Sequence, residues 1–231
     1  MIKAVIFDMF ETLITHFDSP LYFGRQIAED AGLCEAVFRE IWDATEDERT
    51  VGRMSFEEVI EKILKVNGCY TEEKMNTIIS KRIAVKKDCF NHLHSEIIPM
   101  LAQLKARGIK IGLISNCFSE ETAVIRESVL FPYFDEVCLS YEQGMAKPDT
   151  RIFLRCMEHL KVNADECLYV GDGGSLELET AKKLGMKPLQ AAWYLKQGTT
   201  QPAKRKEGFV QLETPMEVVG VIDKDRIDSR L

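Results

Sequence analysis

The sequence predicts an α/β protein in which a doubly wound parallel sheet carries a smaller, all-helical insertion. Three patterns along the 231 residues indicate this architecture. An apolar run, KAVIF, ends directly at Asp8; residues 19–87 have helical periodicity without a strand pattern; strands then alternate with helices from about residue 92 onwards. Such alternation builds a parallel sheet with helices on both faces, and a chain of this length accommodates one such domain with an insertion.

Residues 3–7 form the first predicted strand. Their β-branched and aromatic side chains make an uninterrupted apolar run, which is typical of a strand buried in a parallel sheet. Asp8 follows at the carboxyl end, where such sheets bind their ligands. Phe10, two residues further on, is expected to face the same way as Asp8.

The insertion contains four segments with helical periodicity, at 20–32, 35–50, 55–68 and 71–87. Ser55 and Thr71 are suited to cap the N-termini of the last two segments, and Gly32 and Gly68 are suited to end the first and the third. We therefore expect a helical domain at 17–89.

The rest of the chain alternates between helices and strands. Helices are predicted at 95–107, 119–128, 149–161 and 176–184 and near Pro215, and strands at 109–114, 136–140, 167–171 and 188–192. Residues 197–208 form the one long polar loop. We expect a single core domain composed of residues 1–16 and 90–231.

Composition and charge exclude several classes of protein. Hydrophobic residues make up 45% and charged residues 29% of the chain, as in ordinary folded proteins. The formal net charge of −7, with Lys204–Lys206 as the only basic cluster, argues against nucleic acid as a partner. Seven scattered cysteines without a CxxC pair indicate reduced thiols. Since no apolar run has the length of a signal-peptide core or a membrane span, we expect a cytoplasmic protein without a membrane partner.

Polar residues stand at four predicted strand ends or in the loops that follow them. They are Asp8, Ser115 with Asn116, Lys147 and Asp172. Singly, each has an ordinary explanation as a helix cap, a turn residue or a solvated loop residue. Because parallel strands share one direction, all four would open onto the same edge of the sheet, and this convergence predicts a catalytic site there.

The motifs that contain these residues resemble those of the haloacid dehalogenase (HAD) superfamily, whose hydrolases use an aspartate nucleophile. FDMFETL resembles the first motif, LISN the second, AKPD the third and YVGDGGSLELETAKKLGM the fourth, in the family's order. The helical insertion lies between the first and second motifs, where the family carries a helical cap domain. The resemblance covers residues 1 to about 190 and implies a Rossmann-like core.

The resemblance implies a Mg²⁺-dependent phosphatase that acts on a small phosphorylated metabolite. Asp8 would attack phosphorus and form an aspartyl-phosphate that water then hydrolyses. Lys147 would counter the charge of the phosphoryl group and help to bind the substrate. Thr12, Ser115 and the backbone amide of Asn116 would donate hydrogen bonds to the phosphoryl oxygens.

The same resemblance places Mg²⁺ between nucleophile and phosphate, because a hard cation prefers oxygen ligands. The implied ligands are Asp8, the backbone carbonyl of Phe10, Asp172 and Glu177. Glu177 stands where the family has its second acid. It ranks above Glu179, whose place at the start of a helix favours compensation of the helix dipole.

Phe10 departs from the family's phosphatases, which usually have a second aspartate there as general acid and base. A phenyl ring transfers no proton, and such assistance is worth about 10² to 10⁴ in rate. A phosphatase therefore requires a substrate with a good leaving group or a proton from another residue. Glu11 and His16 are nearest in sequence, but Glu11 is expected to face away from Phe10 and His16 to be an ordinary loop residue.

Two other interpretations stay open. The 2-haloacid dehalogenases of the family also have an aromatic residue at this position, and Arg39 and Asn116 suit a metal-independent dehalogenase. That branch lacks the metal-binding acid pair, however, whereas Asp172 and Glu177 are present here. A HAD-like protein retained for binding or regulation, with low turnover, would also explain the missing acid, but the intact nucleophile, Lys147 and both acids argue against it.

The insertion is expected to determine which substrate is bound, but its sequence does not identify that substrate. Arg39, Arg49 and Arg53 are expected to form a solvated face of amphipathic helices rather than an anion site. Three aromatic residues are expected to lie in the core of the insertion, namely Tyr22, Phe23 and Trp42.

Overall fold

A computed structural model describes residues 1–195 and 204–228. Its centre is a six-stranded parallel sheet in the order β3-β2-β1-β4-β5-β6. The strands are β1 Ala4–Phe7, β2 Lys110–Ser115, β3 Glu136–Leu139, β4 Cys167–Gly171, β5 Lys187–Ala191 and β6 Val210–Leu212. The predicted α/β class, with a parallel sheet and helices between the first two strands, is confirmed.

The strand order explains where a ligand would bind. The chain builds the sheet outward from β1 to β3 on one side and then continues with β4 on the other side of β1. The order therefore reverses between β1 and β4, and open α/β sheets bind ligands beyond the carboxyl ends of the strands at such a switch point. Asp8 directly follows β1, and Asp172 directly follows β4.

Of the six α-helices between β1 and β2, the first five form the insertion, at α1 Gly24–Ala31, α2 Glu35–Ala44, α3 Glu46–Thr50, α4 Phe56–Val66 and α5 Glu72–Asp88. Ser55 and Thr71 cap α4 and α5 by accepting hydrogen bonds from backbone amides, as predicted. The predicted helix 35–50 is interrupted at Thr45, whose hydroxyl donates to the carbonyl of Ile41 at 2.8 Å; such back-bonding competes with the regular helix.

The insertion has a hydrophobic core of its own, in which α1, α2, α4 and α5 pack around side chains that include Phe38, Phe56 and Ile60. This cluster is separate from those on the two faces of the sheet. It supports the prediction of a helical domain at 17–89, although the exact boundaries stay a prediction.

The remaining helices cover the sheet. They are α6 Ile97–Ala106, α7 Ser119–Arg126, α8 Ser140–Gln143, α9 Thr150–Leu160, α10 Glu177–Lys183 and α11 Glu217–Asp228, with short 3₁₀ turns at Cys89–Asn91, Phe131–Tyr133 and Ala164–Glu166. Alternate residues of β1 point into opposite clusters, with Val5 and Phe7 on the side of α6 and α11, and Ala4 and Ile6 on the side of α9 and α10. Both faces of the sheet are therefore buried.

Two details differ from the predicted elements. The edge strand β6 was not predicted, because Val210–Leu212 is short and its middle residue is a glutamine. Of the predicted polar loop 197–208, residues 197–203 lie outside the described part of the chain. No helix among the described residues combines the length and the apolar character needed to cross a membrane.

Candidate active site

Three buried carboxylates meet at the switch point of the sheet. Asp8 follows β1, Asp172 follows β4, and Glu177 is the first residue of α10. Each offers an oxygen within 4.8 Å of an oxygen of the others. We call these three residues, together with Lys147, the acid cluster.

Lys147 is the cation of the acid cluster. Its Nζ lies 2.6 Å from Oδ1 of Asp8 and also contacts Oε2 of Glu177. Lys147 is itself buried, so these interactions are little screened by solvent. The ammonium group therefore bridges the expected nucleophile and one of the expected metal ligands.

The electrostatics of the acid cluster favour an additional cation. Burial, followed by the charge of Glu177, raises the pKa of Asp8 to about 7. Burial and the charges of Glu177 and Asp8 raise the pKa of Asp172 to about 8. Burial lowers the pKa of Lys147, but Asp8 and Glu177 more than offset this and raise it above its ordinary value. One ammonium group does not balance three carboxylates, and their hard oxygens are the ligands that Mg²⁺ prefers.

Backbone amides of the loop after β4 hold Asp172 and Glu177 in place. The amide of Gly174 donates to Oδ1 of Asp172 at 2.8 Å, and the amide of Gly173 donates to Oε1 of Glu177 at 3.1 Å. A Cβ atom on Gly171 would lie 2.0 Å from Oε1 of Glu177. Glycine is therefore required at residue 171 for Glu177 to approach the strand end.

Tyr169 supports the acid cluster from within β4, where its hydroxyl donates to Oε2 of Glu177 at 3.1 Å. Sequence reasoning missed this residue. A signal was present, because a tyrosine inside an otherwise apolar buried strand needs a hydrogen-bond partner for its hydroxyl. Glu179, the lower-ranked alternative to Glu177, instead pairs with Lys206 at 2.6 Å.

The side chain of Asn116 makes two hydrogen bonds to the backbone of Lys147. Its Nδ2 donates to the carbonyl of Lys147 at 2.9 Å, and its Oδ1 accepts from the amide of Lys147 at 2.8 Å. The side chain thus fixes the loop that carries the lysine. This leaves the backbone amide of Asn116, rather than its side chain, as the candidate for substrate binding.

The hydroxyl groups of Thr12 and Ser115 are both buried near this edge of the sheet. Within the described part of the chain, Oγ1 of Thr12 has no hydrogen-bond partner, while its carbonyl accepts from Nε1 of Trp193 at 2.8 Å. Ser115 Oγ makes one long contact, of 3.5 Å, with the carbonyl of Asn116. Buried hydroxyls with unused donors fit the expected role of binding phosphoryl oxygens.

Phe10 follows Asp8 by two residues, and Nζ of Lys86 on α5 lies 5.2 Å from the centre of its ring. The ring of His16 is 4.7 Å from that of Phe10, and Nε2 of His16 contacts Nζ of Lys86. His16 lies in the loop after β1, where the tilted ring of Phe10 and the ammonium group of Lys86 hold it in place. Glu11 turns toward its own loop, where it accepts from Thr15 Oγ1 at 2.6 Å and from the amide of His16 at 2.9 Å.

A second group of buried charges joins the insertion to the core, and we call it the interface network. Arg82 and Lys86 on α5 face Glu120 and Glu121 on α7. Arg82 Nε lies 2.9 Å from Glu120, and Lys86 Nζ lies 2.6 Å from Glu121. These pairs leave no local pattern in the sequence, since their members are more than thirty residues apart.

Arg49 also differs from its prediction. It is fully buried, with its guanidinium carbon 3.7 Å from the ring centre of Trp42 and 4.5 Å from that of Phe118. Stacking on two aromatic rings explains how a cation predicted on a solvated face is accommodated inside. Arg39 pairs with Glu35 on the exposed surface of α2, as predicted.

The comparison with known proteins agrees with this geometry. The sequence signature of the haloacid dehalogenase-like hydrolases matches residues 2–185. A glyceraldehyde 3-phosphate phosphatase from Methanocaldococcus jannaschii is 28% identical over 194 residues, which span 80% of this chain and 83% of that protein.

Two solved structures share the fold. A HAD phosphatase from Thermococcus onnurineus has a TM-score of 0.67 at 20% identity and covers 96% of this chain and 98% of its own. A 2-haloacid dehalogenase from Pseudomonas syringae pv. Tomato DC3000 has a TM-score of 0.65, also at 20% identity, and covers 97% and 99%. These likenesses establish the fold and do not separate the two activities. With its four motifs, its parallel sheet and a signature that spans most of its length, the chain belongs to the haloacid dehalogenase-like hydrolases.

Proposed function

We propose that this hydrolase is a Mg²⁺-dependent phosphatase that acts on a small phosphorylated metabolite, with Asp8 as the nucleophile. The observation that carries the proposal is the acid cluster, in which Lys147 contacts two of three buried carboxylates, one of them that of the expected nucleophile Asp8. A relative that spans four fifths of this chain is a glyceraldehyde 3-phosphate phosphatase, which supports a phosphorylated substrate of low molecular weight.

The proposed reaction has two displacements at phosphorus. A carboxylate oxygen of Asp8 attacks, a new O–P bond forms, and the ester P–O bond breaks; the leaving oxygen takes a proton from solvent to give the alcohol. Water then attacks phosphorus and gives up a proton to solvent, the bond to Asp8 breaks, and inorganic phosphate leaves while the carboxylate is regenerated. Lys147 orients Asp8 and offsets the charge of the transferring group, and the hydroxyls of Thr12 and Ser115 donate to its oxygens.

The donor set suits Mg²⁺, which would be held by Asp8, Asp172 and Glu177 and by the backbone carbonyl of Phe10. When bound, the ion supplies the positive charge that the acid cluster lacks and compensates the charge of the phosphoryl group. The residues of the chain would then bind and orient the substrate and exclude water from the site. The low exposure of the acids in this conformation means that the insertion, proposed as a cap domain at 17–89, must move to admit the substrate.

Phe10 favours a second candidate, a dehalogenase that releases halide from a 2-haloacid without protonating it. Such a reaction needs no proton donor at residue 10, and a solved 2-haloacid dehalogenase shares this fold. The acid cluster argues for the phosphatase, because a metal-independent reaction has no use for the buried Asp172 and Glu177. On the phosphatase interpretation, Phe10 restricts the enzyme to substrates whose leaving group needs little general-acid assistance.

The two candidates are separated by assaying an activated aryl phosphate and 2-chloropropionate side by side, with Mg²⁺ and with EDTA. We expect phosphate release that requires Mg²⁺, and a loss on the order of 10³-fold or more in Asp8→Asn. Asp223→Asn, which changes an exposed aspartate paired with Arg107, is the matched control and should retain the parent activity.

Halide release that is indifferent to EDTA would assign the enzyme to the dehalogenases instead. Activity of Asp8→Asn within about tenfold of the parent would remove Asp8 as the nucleophile and overturn both candidates. Absence of turnover on both substrates would favour the binding or regulatory interpretation.

A further inference from the structure

Gln190 links the acid cluster to a distant part of the chain. It lies on β5 in register with Gly171 of β4, directly beside the loop that carries Asp172. The side chain is completely buried. Its Nε2 donates to the carbonyls of Asp172 and Lys204, and its Oε1 accepts from the amide of Lys206, each at 2.8 Å. All of these bonds go to backbone groups.

The segment Lys204–Lys206 lies against the loop after β4. A Cβ atom on Gly173, whose φ is +92°, would lie 2.9 Å from Cε of Lys206. The Nζ of the same lysine is 2.6 Å from Oε1 of Glu179 on α10. The segment is therefore attached to Gln190 at one side of the loop and to α10 at the other, and the aliphatic stem of Lys206 covers the loop between them.

We propose that Gln190 and Lys206 form a brace that positions Asp172 and thereby sets the affinity for Mg²⁺. The inference rests on the proposed metal site of the acid cluster. Both are positioning residues, since neither belongs to the acid cluster itself. Gln190 holds the backbone of Asp172 directly after β4, and the side chain of Lys206 packs against Gly173 in the loop that follows.

The physical reason lies in how metal ligands are oriented. A carboxylate binds a hard cation well only when the protein holds it in the required geometry, and changes to supporting hydrogen bonds typically cost about 10 to 100-fold in metal affinity. Three backbone groups bond to the one amide of Gln190, and the bond to the carbonyl of Asp172 is fully buried. Leucine in its place would leave all of them without this partner.

The test is the dissociation constant for Mg²⁺ alone, measured by calorimetry on the full chain without substrate. We expect Gln190→Leu to bind Mg²⁺ about 10 to 100-fold more weakly than the parent. Tyr194→Phe is the matched control, because it removes another hydrogen bond of a buried side chain, which its hydroxyl accepts from the amide of His94 at 2.8 Å, in the chain that follows the same strand. It should bind Mg²⁺ as the parent does.

A pair of changes at Lys206 keeps the test decisive should Gln190→Leu fail to fold. Lys206→Ala removes the stem that covers Gly173 and should weaken Mg²⁺ binding several-fold. Lys206→Met keeps the stem and loses only a partly exposed ion pair, so its affinity should be close to that of the parent.

The outcomes separate the brace from the proposed function. If the parent binds no Mg²⁺, the metal site is overturned and the brace with it. If the parent binds Mg²⁺ and both Gln190→Leu and Lys206→Ala bind it equally well, the brace alone is overturned and the phosphatase proposal stands. When Gln190→Leu does not fold, parent-like affinity in Lys206→Ala is sufficient to overturn the brace.

Discussion

The acid cluster and the interface network are both groups of buried charges, but they differ in balance. In the acid cluster a single lysine faces three carboxylates, and the pKa values of Asp8 and Asp172 rise to about 7 and about 8. In the interface network two cations face two carboxylates. Burial and the charges of its own members compete there. Burial raises the pKa of Glu120, whereas the charges of Lys86 and Arg82 lower the pKa of Glu121 despite its burial.

This difference indicates what each region requires. A balanced group of buried charges is complete without a ligand, and here it joins α5 of the insertion to α7 of the core. A group with surplus negative charge is incomplete, because charged carboxylates in a low-dielectric site need compensation. Surplus charge, rather than burial of charge as such, is therefore the feature that marks the candidate catalytic site.

The largest expected effect comes from unbalancing the interface network. Arg82→Met removes one of its cations and leaves Glu120 buried without its main partner, so we expect a loss of about 3 to 5 kcal/mol in the free energy of unfolding. Urea denaturation measures this loss. The Arg82 guanidinium also donates to the carbonyl of Tyr22 at 2.8 Å, and this bond is lost as well.

Lys87→Met is the matched control for this change. Lys87 lies on the same helix and pairs with Glu127, just beyond the C-terminus of α7, at 2.8 Å, but the two side chains are 55% and 64% exposed. Exposed pairs contribute about 0 to 1 kcal/mol, so little change is expected. Equal losses in both variants would show that the buried network has no special role in holding the insertion.

The stability of the protein and its increase on binding Mg²⁺ should both depend on pH, because the acid cluster has more carboxylates than cations. Because the folded-state pKa values of Asp8 and Asp172 are raised, the metal-free folded protein retains protons that the unfolded chain has lost. Its stability should therefore fall as the pH rises from about 4 to about 8. Mg²⁺ binds the deprotonated carboxylates, so its stabilising effect should grow over the same range.

Thermal unfolding with Mg²⁺ and with EDTA measures this effect at about pH 5.5 and about pH 8. We expect the increase in Tm on adding Mg²⁺ to be larger at the higher pH by several degrees, since about 1 kcal/mol corresponds to about 2 to 4 °C in a chain of this size. The increase should be abolished in Asp172→Ala. An increase that is equal at both pH values, or larger at the lower one, would contradict the assigned charge balance.

The sequence was sufficient to predict most of the acid cluster. Asp8, Lys147 and Asp172 stand directly after strands or in the loops that follow them, and the direction of parallel strands is enough to bring such residues together. The resemblance to the fourth HAD motif also favoured Glu177 over Glu179, and the structure brings Glu177 into the cluster. For these residues, the local sequence pattern and the topology of the sheet lead to the same prediction.

The interface network could not be predicted in this way. Arg82 and Glu120 meet only because α5 of the insertion packs on α7 of the core, and the relative placement of two hydrophobic cores leaves no periodic signal in the sequence. The same holds for Arg49, whose stacking on Phe118 depends on that packing. Amphipathic periodicity identifies a polar face of a helix, but it does not reveal whether that face meets solvent or another domain.

The smallest expected effect concerns backbone strain, which distinguishes the loop of the acid cluster from the regular helices of the interface network. Leu176 has φ +52° and ψ +24°, directly before Glu177. The left-handed region costs a residue such as leucine about 1 to 2 kcal/mol, whereas asparagine adopts it more readily. Since Leu176 is 56% exposed, little burial is lost on substitution, and Leu176→Asn should stabilise the protein by about 1 kcal/mol.

Leu154→Asn is the matched control, because Leu154 is 50% exposed but lies within α9. Asparagine is the poorer helix former, so this variant should be less stable than the parent by a few tenths of a kcal/mol to about 0.7 kcal/mol. Opposite signs for the two substitutions would identify strain in the loop of the acid cluster. A loss of stability in both would show that the conformation of Leu176 carries no such cost, and the two regions would then differ in charge balance alone.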